Sequence, residues 1–149
     1  MRIENRGNHF EISVAIEEDH SLPSLEDAYL SLEFSSHGFS GANELWVTSP
    51  ALVAFCCQLL ELARKQEGEA LLESRLPGEL RLRVYATSPG GPLAIEGDTG
   101  YTVDTPHGGF WHEARFGFEF EPWQLVTAIR QPWIQAHAAW AAMASTSAA

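Results

Sequence analysis

Hydrophobic and polar residues alternate with a period of two along several stretches of the chain and switch to a helical period in two. In "HFEISVAI", Phe10, Ile12, Val14 and Ile16 alternate with polar or small residues, the pattern of a half-buried strand. The acidic connector "EEDHSLPSLED", interrupted by Pro23, separates it from "AYLSLEF", where Tyr29 or Leu30, Leu32 and Phe34 restore the alternation and predict a second strand. His37 and Gly38 then stand at the apex of a hairpin whose return strand carries Phe39, Leu45, Trp46 and Val47. The glycines of "HGFSGANELWV" predict a bulge within it.

The period changes in "TSPALVAFCCQLLELARKQEG". Leu52, Phe55, Cys56, Leu59 and Leu62 or Ala63 recur at helical spacing, Thr48 or Ser49 can cap the start, Pro50 suits the first turn and Gly68 can close the end. Beyond this helix, "EALLES", "ELRLRVYAT" and "PLAIEGDTG" predict three strands separated by the turn formers "RLPG" and "SPGGP". In the middle one Leu80, Leu82 and Val84 share one face, and Arg81, Arg83 and Tyr85 the other. A loop, "DTPHGG", leads into "FWHEARFGFEFE", where Phe116, Phe118 and Phe120 alternate with Gly117, Glu119 and Glu121. Pro122 opens a second helix with Trp123, Val126, Ile129 and Trp133 along its expected inner stripe, and Pro132 ends or kinks it. The alanine-rich remainder extends as a short helix through Trp140, then a flexible tail from about residue 142.

The predicted order is βββ-α-ββββ-α. This describes one α+β domain over residues 1–149: a mainly antiparallel sheet of six or seven strands with two covering helices. A chain of 149 residues buries about 70% of its unfolded surface without metal or disulfide staples. Its cysteines, Cys56 and Cys57, are adjacent, where a mutual disulfide would be strained, and are expected to be reduced. No apolar run reaches the roughly 20 residues that span a bilayer. No apolar segment follows the N-terminal arginines, so no secretory signal is apparent and cytoplasmic residence is the expectation.

Charge narrows the partners further. Twenty acidic residues against nine basic ones give a formal charge of -11, which repels phosphate backbones and favours a basic partner over nucleic acid. The connector residues Glu17, Glu18 and Asp19, with Glu26 and Asp27, are the candidate contact face for such a partner.

Catalytic patterns are weak. A nucleophile elbow needs G-x-S-x-G at a strand-to-helix turn, but Gly38-Phe39-Ser40-Gly41-Ala42 ends in alanine and runs into a strand, so Ser40 is a turn or strand residue. His107 and His112 do not have the spacing of a helical metal pair, and Asp104, His107, His112 and Glu113 surround a glycine turn. The 104–113 region remains the alternative site for a small ligand or an enzyme. Glu119 and Glu121 share a strand face but are explained by solvation. "SPGGP" lacks the lysine and the following helix of a phosphate loop. No catalytic residue, metal ligand or cofactor is therefore assigned. Another alternative is self-association, through the exposed strand or through Trp133 and Trp140.

Taken in order, "YLSLEFSSHGFSGANELWV", the helix "SPALVAFCCQLLELARKQEGEALLE", "ELRLRVYA", "GGPLAIEG" and "ARFGFEFEPWQLVTAI" resemble the WapI-like immunity proteins of bacterial polymorphic toxin systems. The matching positions are Phe39 and Gly41; Leu52, Phe55, Leu59 and Leu62; Gly68, Ala70, Leu72 and Glu73; and Phe118, Glu119, Phe120 and Leu125. They span roughly residues 29–134, and the chain departs from the pattern at Pro122-Trp123 and in its alanine-rich end. The resemblance implies a non-enzymatic protein that neutralises a cognate toxin domain, with Phe39 as a buried anchor, Gly41 as a backbone necessity and Ser40 incidental.

Overall fold

Within each sheet, consecutive strands pair with their chain neighbours. The computed structural model describes residues 1–16 and 27–147, so Glu17, Glu18, Asp19 and Glu26 lie outside the described residues. Strands β1 (Arg2–Asn5), β2 (Asn8–Ile16), β3 (Ala28–Ser36) and β4 (Phe39–Val47) form one antiparallel meander in that order. Helix α1 (Ser49–Lys65) follows, and then β5 (Glu69–Glu73), β6 (Leu80–Ala86), β7 (Leu93–Thr105) and β8 (Gly108–Phe120) form a second. Helices α2 (Pro122–Ala128) and α3 (Pro132–Ser147) complete the chain.

The α+β class and antiparallel pairing agree with the sequence. The single sheet of six or seven strands is corrected to two sheets of four, and the order to ββββ-α-ββββ-αα. The extra first strand contributes one fully inward side chain, Ile3, and so carries almost no alternation. The hairpin at His37-Gly38 is present, with φ of 50° and 87°, which suits a two-residue turn matched to strand twist. The bulge is not. Pairing runs without interruption from Ser36 with Phe39 to Ala28 with Val47.

The inner faces of the two sheets meet through aromatic rings. Phe116 of β8 stacks on Phe34 at 4.3 Å between centroids and on Phe10 at 5.5 Å, with interplanar angles of 18° and 16°. Phe118 and Phe120 continue that face, and Leu80, Leu82 and Val84 are buried beside them as the alternation requires.

Helix α1 supplies the expected stripe of Leu52, Phe55, Cys56, Leu59 and Leu62, all buried, and packs on β5 and α3. Thr48 caps it by accepting from the Ala51 N–H at 3.4 Å, and the left-handed Gln66 closes it by donating to the Leu62 carbonyl. Cys56 and Cys57 are both free thiols.

The inner stripe of α2 needs correction. Trp123 and Val126 are exposed, while Leu125 and Ala128 face the core. Pro122 starts the helix one position after Glu121, which fixes its phase; size and apolarity alone select the wrong pair. Pro132 does separate two helices, and α3 continues past Trp140 to Ser147. Among the described residues no helix is long and apolar enough to cross a membrane.

Candidate functional site

β7 and β8 are each 13 residues long, whereas β6 has 7. β6 reaches β7 only as far as Leu80 opposite Thr99. Past that point β7 and β8 continue alone, from Tyr101 opposite His112 to Thr105 opposite Gly108, and every residue from Tyr101 to Glu113 is exposed. The predicted loop "DTPHGG" is therefore the tip of a two-stranded arm.

Side-chain hydrogen bonds tie the base of this arm to the first sheet. The Asn43 side-chain amide donates to the Thr99 hydroxyl at 2.9 Å and to the Gly100 carbonyl at 3.0 Å, and Thr99 donates to the Glu79 carbonyl at 2.6 Å. Trp111 packs against Gly100, where its indole leaves no room for a Cβ. Its Nε1 donates to Glu113 at 3.0 Å. Register places Tyr101, Val103, Phe110 and His112 on one face, with the Tyr101 and His112 rings 5.6 Å apart. Phe110 is 61% exposed and Tyr101, on the same face, 44%, an uncovered aromatic surface of the kind that marks an interaction site rather than a core.

Beside the arm, the outer face of the first sheet forms an open groove of about 700 Å³. Tyr29 and Tyr101 contribute rings to it, Ser13 and Ser31 hydroxyls, and Glu11, Glu33 and Glu44 carboxylates. Glu11 is directly opposite Glu33 across β2 and β3, and like charges so placed repel. Arg2 relieves Glu11 through an ion pair of 2.6 Å, and His9 stands 3.6 Å from Glu33. Glu44 accepts from Tyr29 at 3.0 Å and from Ser31 at 3.2 Å. That hydrogen bond, with smaller contributions from burial and the Glu44 charge, holds the Tyr29 phenol above its ordinary pKa. The groove thus presents fixed negative charge next to aromatic surface, chemistry suited to ammonium and guanidinium groups.

The residues singled out by sequence are distributed differently. Of the connector acids only Asp27 is described, and it is tied into the fold: it accepts from the Ser49 N–H at 3.2 Å and lies 3.5 Å from Arg75. Asp104, His107, His112 and Glu113 are strung along the exposed arm. Among the described residues no group of three His, Cys, Asp or Glu side chains is arranged to hold a metal ion. Ser40 is an exposed strand residue opposite Ser35. Phe39 is 73% exposed, which overturns its reading as a buried anchor, because it begins β4 at the open end of the hairpin turn.

Glu11, Glu33, Glu44, Tyr29 and Tyr101 were not singled out. The first three are visible in the sequence as polar alternates of their strands, but only strand register brings them to one surface. No family model, curated protein or solved structure matches this chain.

Proposed function

We propose that the chain is a non-enzymatic binding protein that neutralises a basic protein domain, the immunity role implied by the resemblance of residues 29–134 to WapI-like proteins. The observation that carries this reading is the juxtaposition of the aromatic arm with the Glu11, Glu33 and Glu44 face. Glu11 is already paired with Arg2, while Glu33 and Glu44 stay exposed beside it for a cationic partner to engage. The aromatic side chains supply contact area with few rotors to immobilise, as interface anchors do. The formal charge of -11 adds long-range attraction to the same class of partner.

The test is protection in cells. Where a neighbouring gene encodes a toxin domain, the chain is co-expressed with it, and growth is compared for wild type and for the double variant Glu33→Lys with Glu44→Lys. Wild type is expected to restore growth, and the double variant to fail while keeping the wild-type melting temperature. Equal protection by both would remove the groove from the contact face. Absence of protection by wild type would remove the immunity reading itself.

A further inference from the structure

The outer edge of β8 changes character along its length. Gly117 exchanges hydrogen bonds with the Ser36 hydroxyl, at 2.8 Å from its carbonyl and 3.4 Å from its N–H, and the Glu119 carbonyl accepts from Asn5 at 2.7 Å. These bonds establish that the odd-numbered residues of β8 direct their backbone groups away from β7, since alternate residues of a strand point to opposite sides. Near the core that edge is therefore covered by side chains. Along the arm, Gly109, Trp111, Glu113 and Arg115 direct the same groups outward, and no described residue bonds to them.

Strand edges left open in this way are templates for another strand, and proteins ordinarily blunt them with lysine, proline or a bulge. Neither lysine nor proline occurs between Gly109 and Arg115, and the register with β7 is unbroken from Leu93 opposite Phe120 to Thr105 opposite Gly108. We propose that this edge pairs antiparallel with the same edge of a second copy of the chain, across a two-fold axis at His112.

Register and charge both select a second copy. Centring the axis at His112 sets Trp111 against Glu113 and Gly109 against Arg115, so every outward-facing residue of the arm exchanges its backbone bonds. Centring it at Ala114 would set Trp111 against Gly117, whose groups Ser36 already occupies. In the favoured register each indole N–H faces a carboxylate, the pairing that Trp111 and Glu113 already make within one strand. Arg115, at the crowded end where the arm joins the body, receives a glycine. The edge is also locally neutral, with Glu113 balanced by Arg115, although the chain as a whole is strongly acidic. A basic strand would find no net charge here, whereas a second copy meets no net repulsion along the contact. This surface is separate from the acidic groove, and its test uses the purified chain alone, so either reading can fail without the other.

Sedimentation of the wild-type chain from micromolar to several hundred micromolar should show a reversible monomer–dimer equilibrium. Glu113→Pro removes an outward N–H without touching the bonds to β7, and should weaken self-association at least roughly ten-fold, whereas Glu113→Ala keeps the N–H and should have a smaller effect. Melting curves check that both variants fold. A second measurement does not depend on proline. In this register His112 faces its own counterpart at a non-hydrogen-bonded position, where cross-strand side chains are closest, so His112→Cys should form a disulfide-linked dimer on mild oxidation. Thr102→Cys, on the opposite edge of the arm, should give no more linked dimer than wild type. A wild-type chain that stays monomeric throughout, or a dimer that survives Glu113→Pro and does not link through His112→Cys, overturns the proposal.

Discussion

Gly41 lies beneath the ring of Phe34, its direct partner across β3 and β4: a Cβ on Gly41 would stand 2.9 Å from both Cε1 and Cζ of that ring. Phe34 cannot readily yield, because its ring is stacked on Phe116 in the core. The glycine therefore serves a close approach and not a bulge or an unusual backbone angle. Gly41→Val should destabilise by about 1 to 3 kcal/mol, the usual cost of forcing extra volume into a packed site. Neighbouring Ser40→Ala should stay within about 0.5 kcal/mol, as exposed substitutions do. Urea unfolding of the two variants checks both, and equal midpoints would remove the packing role of Gly41.

Phe118 and Glu119 are chain neighbours on opposite faces of β8, one 6% exposed and the other at the surface. Phe118→Ala should cost about 3 to 5 kcal/mol and Leu59→Ala, on the buried stripe of α1, about 2 to 5 kcal/mol. Glu119→Ala should cost well under half as much, because only its backbone carbonyl is engaged, by Asn5. Thermal or urea melts that reversed this order would invert the assigned faces of the strand.

Asp27 has a structural part that its place in an acidic connector conceals. It satisfies the N–H of Ser49, the first residue of α1, which has no partner inside the helix, and it adds negative charge at the positive end of the helix dipole. Asp27→Ala should lower stability by about 0.5 to 2 kcal/mol, the range for losing a helix cap. Calorimetry distinguishes this from a contact role, which would weaken partner binding without moving the melting temperature.

Burial pushes the Cys56 thiol up from 9.0 to about 12, with a smaller contribution from neighbouring Cys57. The folded chain thus keeps a proton that the unfolded chain releases. The stabilisation from burying the neutral thiol is fully present below pH 9 and drains away as pH rises towards 12, by up to about 1.4 kcal/mol per pH unit. Cys56→Ala should begin less stable at neutral pH but show a shallower loss between pH 9 and 11. Parallel slopes for variant and wild type in urea titrations would contradict the assignment. In the folded chain at pH 8, a thiol reagent should label the half-buried Cys57 well before Cys56.

The elements legible in the sequence are those with one face in the core. β3 alternates from Ala28 to Ser36 because its even-numbered residues are buried, and α1 shows its stripe because Leu52, Phe55, Leu59 and Leu62 meet a single surface. Alternation says which face is buried but not which strands are neighbours, so the division into two sheets was hidden. The arm was hidden for the complementary reason. Val103 and Phe110 share a face yet neither is covered, so no polarity contrast marks the strand, and Pro106-His107-Gly108-Gly109 read as a loop. In α2, Trp123 and Val126 look more like core than Ala128 does, and only the helix phase set by Pro122 shows otherwise. The acidic groove needs residues from β2, β3 and β4 in register, a long-range property that no local pattern encodes.

Salt separates the two surfaces of the arm region. Contact between the Glu11, Glu33 and Glu44 face and a basic domain should weaken as ionic strength rises, because exposed charges are screened beyond about 8 to 10 Å. Most of the change should appear in the association rate, since long-range attraction acts before contact is made. Glu33→Lys with Glu44→Lys should flatten that dependence, whereas Phe110→Ala should leave it intact and instead speed dissociation, the expected effect of losing a short-range aromatic contact. Surface-based kinetics with a basic partner domain at two salt concentrations measure all of these. Self-pairing through β8 should respond in the opposite sense, since salt screens the repulsion between two chains of charge -11 and strengthens their association. A dimer that dissociates on adding salt would place charged contacts at its interface and exclude the neutral β8 edge.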